Sequence, residues 1–369
     1  MVINMKNYGE IEYNYHDYAD DQVWITMGIN VGIATRYFLI NDEKNFENNL
    51  AFANIFSNYL KHEYSQKYMI DVDRTVTSIT YLSNREMIGE ALVSFIKDIC
   101  KLNLDSAVFE KVKQQTLENF KKVYKEGAFR GWYKSFEISD LNKGFTLKKL
   151  IQDLKDITFE EFVKSYDYLI HLHNAAIYVN GKIKGLVTEE LNSLKQLFEE
   201  TKVQTILGGR LNDRYLRGDA HLLEISREPI NIDILAFLFD DNVDIFDRMI
   251  YLDIESEKLS YQDKIVHVDK FDSSIIVNEG NLMKLKNIFR SPLTEEQFIR
   301  NQKKIMQQYS WWLERNPERF GKWCVELMLN MIKPAEYLST VANVAYVDYS
   351  EISKRIKPII AEAQIVMRR

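Results

Sequence analysis

The sequence predicts an α+β chain built as two homologous domains. Three observations carry this: β-branched alternating segments interleave with segments of helical period, one internal repeat recurs at an offset of 189 to 190 residues, and the chain is long enough for two cores. At 369 residues it is roughly twice the size of a single-core domain. Hydrophobic residues make up 46% and charged residues 28%, with 14 Gly and 5 Pro, which excludes collagen-like, low-complexity and largely disordered chains.

The elements follow in order. Val23, Ile25, Met27, Ile29 and Val31 alternate through residues 22–33, as a half-buried strand requires. From Asn45 to Leu60, Phe46, Leu50, Ala53 and Leu60 share one face and Phe52, Ile55, Phe56 and Tyr59 another, predicting a helix buried nearly all round. Val72 to Leu82 returns to β-branched alternation. A helix over 85–100 carries Met87, Ala91, Phe95 and Ile99 at helical spacing. A long amphipathic helix from Asp105 to about Glu126 follows, then the aromatic stretch Phe129, Trp132, Tyr133 and Phe136. A helix over 158–170 and a strand ending at Gly181 close the first half. Residues 186–200 read as a polar-faced helix and 201–217, with Gly208 and Gly209, as a linker. The expected domains are therefore 1–185 and 218–369, joined by the helix and linker 186–217.

The repeat appears where Leu104 and Phe109 open one long helix and Leu293 and Phe298 open another, each pair separated by 189 positions. Ile157-Thr-Phe-Glu-Glu-Phe162, ahead of the strand that ends at Gly181, is likewise echoed by Val347-Asp-Tyr-Ser-Glu-Ile352. Equivalent domains account for this better than unrelated ones.

Charge and composition narrow the function. Lys plus Arg number 48 against 54 Asp plus Glu, giving −6, so no global positive field exists to hold a nucleic-acid backbone or an anionic membrane. The polar start lacks a signal peptide's apolar stretch and no run approaches a bilayer span, so the chain reads as cytoplasmic. Cys100 and Cys324 form no framework or zinc cluster. His171 and His173 lack acidic or cysteine partners nearby and read as a satisfied surface pair. Neither Gly-x-Ser-x-Gly nor a phosphate loop is present. Trp311, Trp312, Phe320 and Trp323 read as core or seam, and Lys121, Lys122 and Lys125 as a solvated helix face.

Asn49-Leu50-Ala51, Phe109-Glu-Lys-Val-Lys113, Ile157-Thr-Phe-Glu-Glu-Phe162 and Val179-Asn-Gly181 stand in the order of motifs in the insulinase and mitochondrial processing peptidase family of zinc proteases, which the whole chain resembles. The resemblance implies that each domain is a mostly antiparallel sheet covered by helices. It also locates a zinc site: a His-x-x-Glu-His helix following Gly-Leu-Ala, and a distant glutamate. Carried over, those positions fall on Phe52, Ile55 and Phe56, with the third ligand near Lys111. Apolar groups and a cation offer a metal no lone pair. No metal or other cofactor is expected in this chain.

In two-subunit bacterial members a metal-free subunit places an Arg and a Tyr over the substrate carbonyl, within Leu-Arg-x-x-x-Gly-Leu-Ala-Tyr. Here Leu259-Ser260-Tyr261 matches the end, while Ile254 holds the arginine position. Tyr261 is then either a donor to the developing oxyanion or the start of a buried strand, with Arg248 a candidate to replace the guanidinium. The resemblance implies a non-catalytic subunit that encloses an unfolded peptide and presents it to the zinc of a partner chain of the same family. The compact length and the loss of every ligand resemble the small subunit of bacterial peptidases that trim leaders from subtilosin-type bacteriocins. A metal-free scaffold like the core proteins of a respiratory complex, and a homodimeric peptide-binding protein, are the alternatives.

Overall fold

The computed structural model describes residues 2–5, 9–15, 18, 21–40, 44–84, 88–123, 133, 146–181, 196, 206–208, 231–238, 243–258, 265–269, 274–278, 287–356 and 359–366. Contacts divide the chain into two units. The first comprises Met1–Phe120, Lys148–Leu211 and Trp311–Pro334; the second comprises Lys121–Leu147, Asn212–Ser310 and Ala335–Arg369. Contiguity in sequence and membership in a unit therefore part company at 121–147 and 311–334.

The strands of the first unit are β1 (Val2–Met5), β2 (Gly9–Tyr15), β3 (Gln22–Ile29), β4 (Tyr37–Ile40), β5 (Lys44–Glu47), β6 (Met69–Val72), β7 (Thr77–Asn84), β8 (Ala175–Gly181) and β9 (Ile206–Gly208). Six form one sheet in the order β1-β2-β8-β3-β7-β6, antiparallel except between β2 and β8. The other three form a small sheet, β5-β4-β9. The first strand ends at Ile29 rather than Ile33, because the Ile33 and Ala34 amides turn to the carbonyls of Asp73 and Arg74. The single strand expected over 72–82 is instead the β6–β7 hairpin, whose turn is closed by Asp73 N–H donating to the Val76 carbonyl.

The helices of this unit include α1 (Phe52–Glu63), α2 (Ile88–Cys100), α3 (Ser106–Val123), α4 (Leu147–Asp156) and α5 (Phe159–Leu169). The expected helix over 45–60 begins only at Phe52. Its front end is β5, where Phe46 lies opposite Phe38 and both rings are buried, so a strand satisfies the apolar side chain that helical periodicity had claimed. Thr158 and Glu161 form a reciprocal capping box that starts α5 one residue past Thr158. α4 has no counterpart in the sequence reading. The helix expected over 186–200 lies, apart from Gln196, outside the described residues, and part of the expected linker pairs with β4 as β9.

Both faces of the large sheet are covered. Val23, Ile25, Met27 and Ile29 are fully buried along one face, on which α1 and α2 pack towards β6 and β7. The opposite face carries Trp24, Thr26 and Gly28 and receives α8 (Pro317–Leu329), whose Phe320 meets Tyr178 edge to face at 6.0 Å. Close approach is possible because both surfaces are small. A Cβ at Gly28 would stand 2.6 Å from Val325 Cγ2, and one at Gly321 2.2 Å from Thr26 Oγ1. Trp312 and Trp323 are buried as the sequence suggests, whereas Trp311 is 54% exposed.

The second unit contains β10 (Asn231–Leu238), α6 (Ile245–Ser256), β11 (Ile265–Asp269), β12 (Ser274–Asn278), α9 (Pro334–Asn343), α10 (Tyr346–Ile356), β13 (Ile359–Val366) and most of α7 (Glu295–Arg315). Its sheet order, β11-β12-β10-β13, repeats β6-β7-β3-β8 of the first unit, antiparallel at every step in both. α3 and α7 begin at Ser106 and Glu295, at the offset of the sequence repeat. The duplicated α+β architecture is thus present. Among the described residues no helix is long and apolar enough to cross a membrane.

Candidate functional site

α1 holds the positions to which the resemblance assigns zinc ligands. Its first turn has no side-chain cap of its own; Asn49 Oδ1 accepts from Ala51 N–H, and the buried Asp153 of α4 accepts from Leu50 N–H at 3.0 Å. Phe52, Ile55 and Phe56 are all 0% exposed. The Phe52 and Phe56 rings stack at 5.7 Å, Phe52 meets Phe162 at 5.5 Å, and Phe56 meets Tyr166 at 6.1 Å. Phe109 of α3 closes the cluster against Phe162 at 5.1 Å. These three side chains are core, with no atom that binds zinc.

Contacts along the α1–α3 seam identify the face of α1 that looks towards α3. Asn58 Nδ2 donates to Thr116 Oγ1 at 2.9 Å, while Lys111 Nζ lies 3.1 Å from His62 Nε2. The two helices run antiparallel, so Lys111 stands at the exposed C-terminal end of α1. It is about a turn and a half beyond Phe56 and is not brought together with the three apolar positions. Asn54 and Asn58, spaced i and i+4, share the face that meets Thr116, with Ser57 between them. This Asn-x-x-Ser-Asn row has the spacing of the family's ligand helix, displaced two residues from an alignment through Leu50-Ala51. Sequence matching missed it, and the detectable signal was a polar i, i+3, i+4 row inside an otherwise apolar helix. Its donors are neutral amides and hydroxyls, and the Ser57 hydroxyl already donates to the Asn54 carbonyl at 3.1 Å. Zinc sites use imidazole, thiolate and carboxylate. Neither register of α1 fits the metal.

Beside α1 lies β6, the terminal strand of its sheet, and among the described residues nothing pairs with its outer edge. Met69 is 44% exposed and the Asp71 side chain 65% exposed. Lys322 of α8 fixes the strand from behind, with Nζ 2.5 Å from Asp71 Oδ2 and 2.9 Å from Asp73 Oδ2. Burial alone would depress this ammonium, but Asp73, Glu326 and Asp71 outweigh it and hold its pKa above the usual lysine range.

The second unit carries the other candidates. Tyr261 lies outside the described residues. Arg248 is half-buried in the first turns of α6, and Ile254 is 0% exposed. The residues flanking Ile254 are buried carboxylates. Asp253 Oδ2 accepts from the hydroxyls of Tyr309, at 2.8 Å, and Tyr337, while Glu255 accepts from Tyr349 at 2.6 Å and pairs with Lys258. Burial raises the Glu255 pKa, opposed by Lys258. These pairs bind α6 to α7, α9 and α10.

His171 and His173 are not a surface pair. They flank Leu172 in a short 3₁₀ turn (Leu172–Asn174), 7% and 6% exposed, with rings 6.0 Å apart. The turn leads directly into β8, and both rings are buried at that strand's entry. Among the described residues no three His, Cys, Asp or Glu side chains gather as a metal site would need.

No sequence-family profile and no curated protein sequence matches the chain. Solved structures do. An M16-like peptidase from Alicyclobacillus acidocaldarius is 13% identical with a TM-score of 0.69, covering 100% of this chain and 98% of that one. A protease from Helicobacter pylori is 10% identical with a TM-score of 0.67, covering 100% and 99%. A chain of Complex III2 from Candida albicans is 10% identical with a TM-score of 0.63, covering 99% and 95%. What is shared at this identity is the fold, and it extends over the whole chain.

Proposed function

We propose that this chain is a non-catalytic subunit of a heterodimeric zinc peptidase, which holds an extended peptide and presents it to the zinc of a partner chain of the same fold. The observation that carries the reading is the combination of α1 and β6. The helix at the metal position is packed solid with Phe52, Ile55 and Phe56, while the neighbouring strand offers an unpaired edge. Loss of ligands without loss of the adjoining edge is what a presenting subunit requires: main-chain hydrogen bonds along a strand bind peptide irrespective of its side chains. Orientation of the bound chain is then its contribution to the partner's chemistry. A leader-bearing precursor of a ribosomally made peptide, of the bacteriocin kind, suits such a site as substrate.

The test combines the purified chain with a co-encoded zinc-bearing chain of this fold and follows cleavage of a fluorogenic peptide. Hydrolysis by the mixture alone, abolished by a chelator, with co-elution in gel filtration, is the expected result. Chelator-sensitive cleavage by this chain alone overturns the proposal. Similarity to a chain of Complex III2 over 99% of this chain favours a second reading, a metal-free scaffold; association with other subunits but no peptide binding identifies it. A stable homodimer that binds peptide and ignores zinc-bearing chains identifies the third.

A further inference from the structure

Immediately before β6 the chain builds a cation site and fills it itself. Tyr64 ends α1, Gln66 takes a left-handed conformation with φ 73°, and Lys67 N–H donates to the Tyr64 carbonyl at 2.9 Å. The turn directs Lys67 back across aromatic rings. Its Nζ lies 5.1 Å from the centroid of Tyr68, 5.6 Å from Tyr64 and 5.8 Å from Tyr81, and 2.5 Å from Asp98 Oδ2. Three ring faces within cation–π range and one carboxylate form an aromatic cage.

The walls are preorganised independently of the lysine. The Tyr68 hydroxyl donates to the same Asp98 oxygen at 2.5 Å, and Tyr68 packs edge to face on Phe95 and Tyr81 at 5.3 and 5.6 Å. Tyr81 stacks on Phe95 at 6.0 Å. The occupant is solvent-accessible: the Lys67 side chain is 38% exposed, so the cage opens to solvent on the lysine's side. A left-handed conformation at a non-glycine residue disfavours the turn that delivers it.

We propose that Tyr64, Tyr68, Tyr81 and Asp98 form a subsite for a lysine side chain of a bound peptide, with Lys67 as its intramolecular placeholder. The inference rests on the reading of β6 as the peptide-binding edge, since only one residue separates Lys67 from that strand. Exchange of one ammonium for another conserves the cation–π and carboxylate contacts, and relaxation of the turn at Gln66 favours departure of Lys67. A free cation competes against a tethered one of millimolar effective concentration. A lysine on a peptide already paired along β6 is tethered too, which confines occupancy to peptide-bound chains and makes the site a selector of basic sequence.

Two twelve-residue Ser/Thr/Val peptides test this, one with a single central lysine and one with norleucine there, titrated calorimetrically into the full chain. The lysine peptide is expected to bind about 5-fold more tightly. Lys67→Ala removes the competitor and raises that preference about 5-fold further, whereas Asp98→Asn erases it. Equal binding of the two peptides by both the unaltered chain and Lys67→Ala overturns the subsite and leaves the peptide-edge reading intact. Failure of both peptides to bind any form overturns the edge reading, and the subsite with it.

Discussion

Gly321 of α8 and Thr26 of β3 touch so closely that a Cβ on the glycine would stand 2.2 Å from the threonine hydroxyl oxygen. That oxygen is also 3.1 Å from Thr80 Oγ1, so the crowded atom is held in place. Gly321→Val is expected to destabilise the first unit by about 1–3 kcal/mol through overpacking, read as a lowered thermal midpoint. Gly321→Ala combined with Thr26→Ala recovers part of the loss that Gly321→Ala causes alone, because the two sites share one contact. Additive effects in that cycle rule out the contact.

α1 should resist conversion into a metal helix. The triple change Phe52→His, Ile55→Glu and Phe56→His buries three polar groups among Phe162, Tyr166 and Phe109. The expected cost exceeds roughly 3 kcal/mol, with no zinc retained through gel filtration by elemental analysis. Near-stoichiometric zinc with chelator-sensitive cleavage contradicts the assignment of this face to the core.

Asn54 Nδ2 is buried without a hydrogen-bond partner on the face of α1 that meets α3. Replacing an unsatisfied polar group by an apolar one of equal size removes a desolvation penalty. Asn54→Leu is therefore expected to be neutral or stabilising by up to about 1 kcal/mol in urea denaturation. A loss beyond that range reveals a contact for Asn54.

Acid should weaken the first unit through His171. Burial, then the neighbouring His173, push its pKa down from 6.5 to about 4, against the raising influence of the Tyr168 carbonyl. Because the folded value lies below the unfolded one, the unfolded chain binds the extra proton between pH 6.5 and 4. Stability contributed by the neutral ring is complete above pH 6.5 and declines as pH falls towards 4, by up to about 3 kcal/mol. His171→Gln should flatten the urea midpoint over that window. An identical slope in the variant assigns the effect elsewhere.

In the second unit Asp253 accepts from two tyrosine hydroxyls. Asp253→Ala removes the carboxylate that both buried hydroxyls share and should cost about 2–4 kcal/mol, whereas Asp253→Asn keeps an acceptor oxygen there and should cost less than half of that. Denaturant midpoints that fall equally for the two variants refute the acceptor role.

Much of this molecule is legible in the linear chain, for identifiable reasons. Alternation from Val23 to Ile29 marks a strand, though not that α8 buries its second face as well, Thr158 with Glu161 starts α5 through contacts three residues apart, and the 189-residue spacing of Leu104 and Leu293 reports the duplication in the sequence itself. Such signals are local or periodic, so neighbours in sequence suffice to express them. The candidate site was legible only in part. That Phe52, Ile55 and Phe56 supply no ligand follows from their identity alone, but the row that faces α3, Asn54, Ser57 and Asn58, does not.

What only the tertiary structure decided are the relations between residues distant in the chain. Phe46 joins a strand because Phe38 lies opposite it; His171 and His173 are buried because the turn carrying them is covered; Trp311–Pro334 belongs to the unit begun by Met1. The cage around Lys67 draws on Tyr64, Tyr68, Tyr81 and Asp98, which no spacing rule connects. Propensity and periodicity are properties of a segment, whereas burial and electrostatic pairing are properties of the surroundings that other segments create.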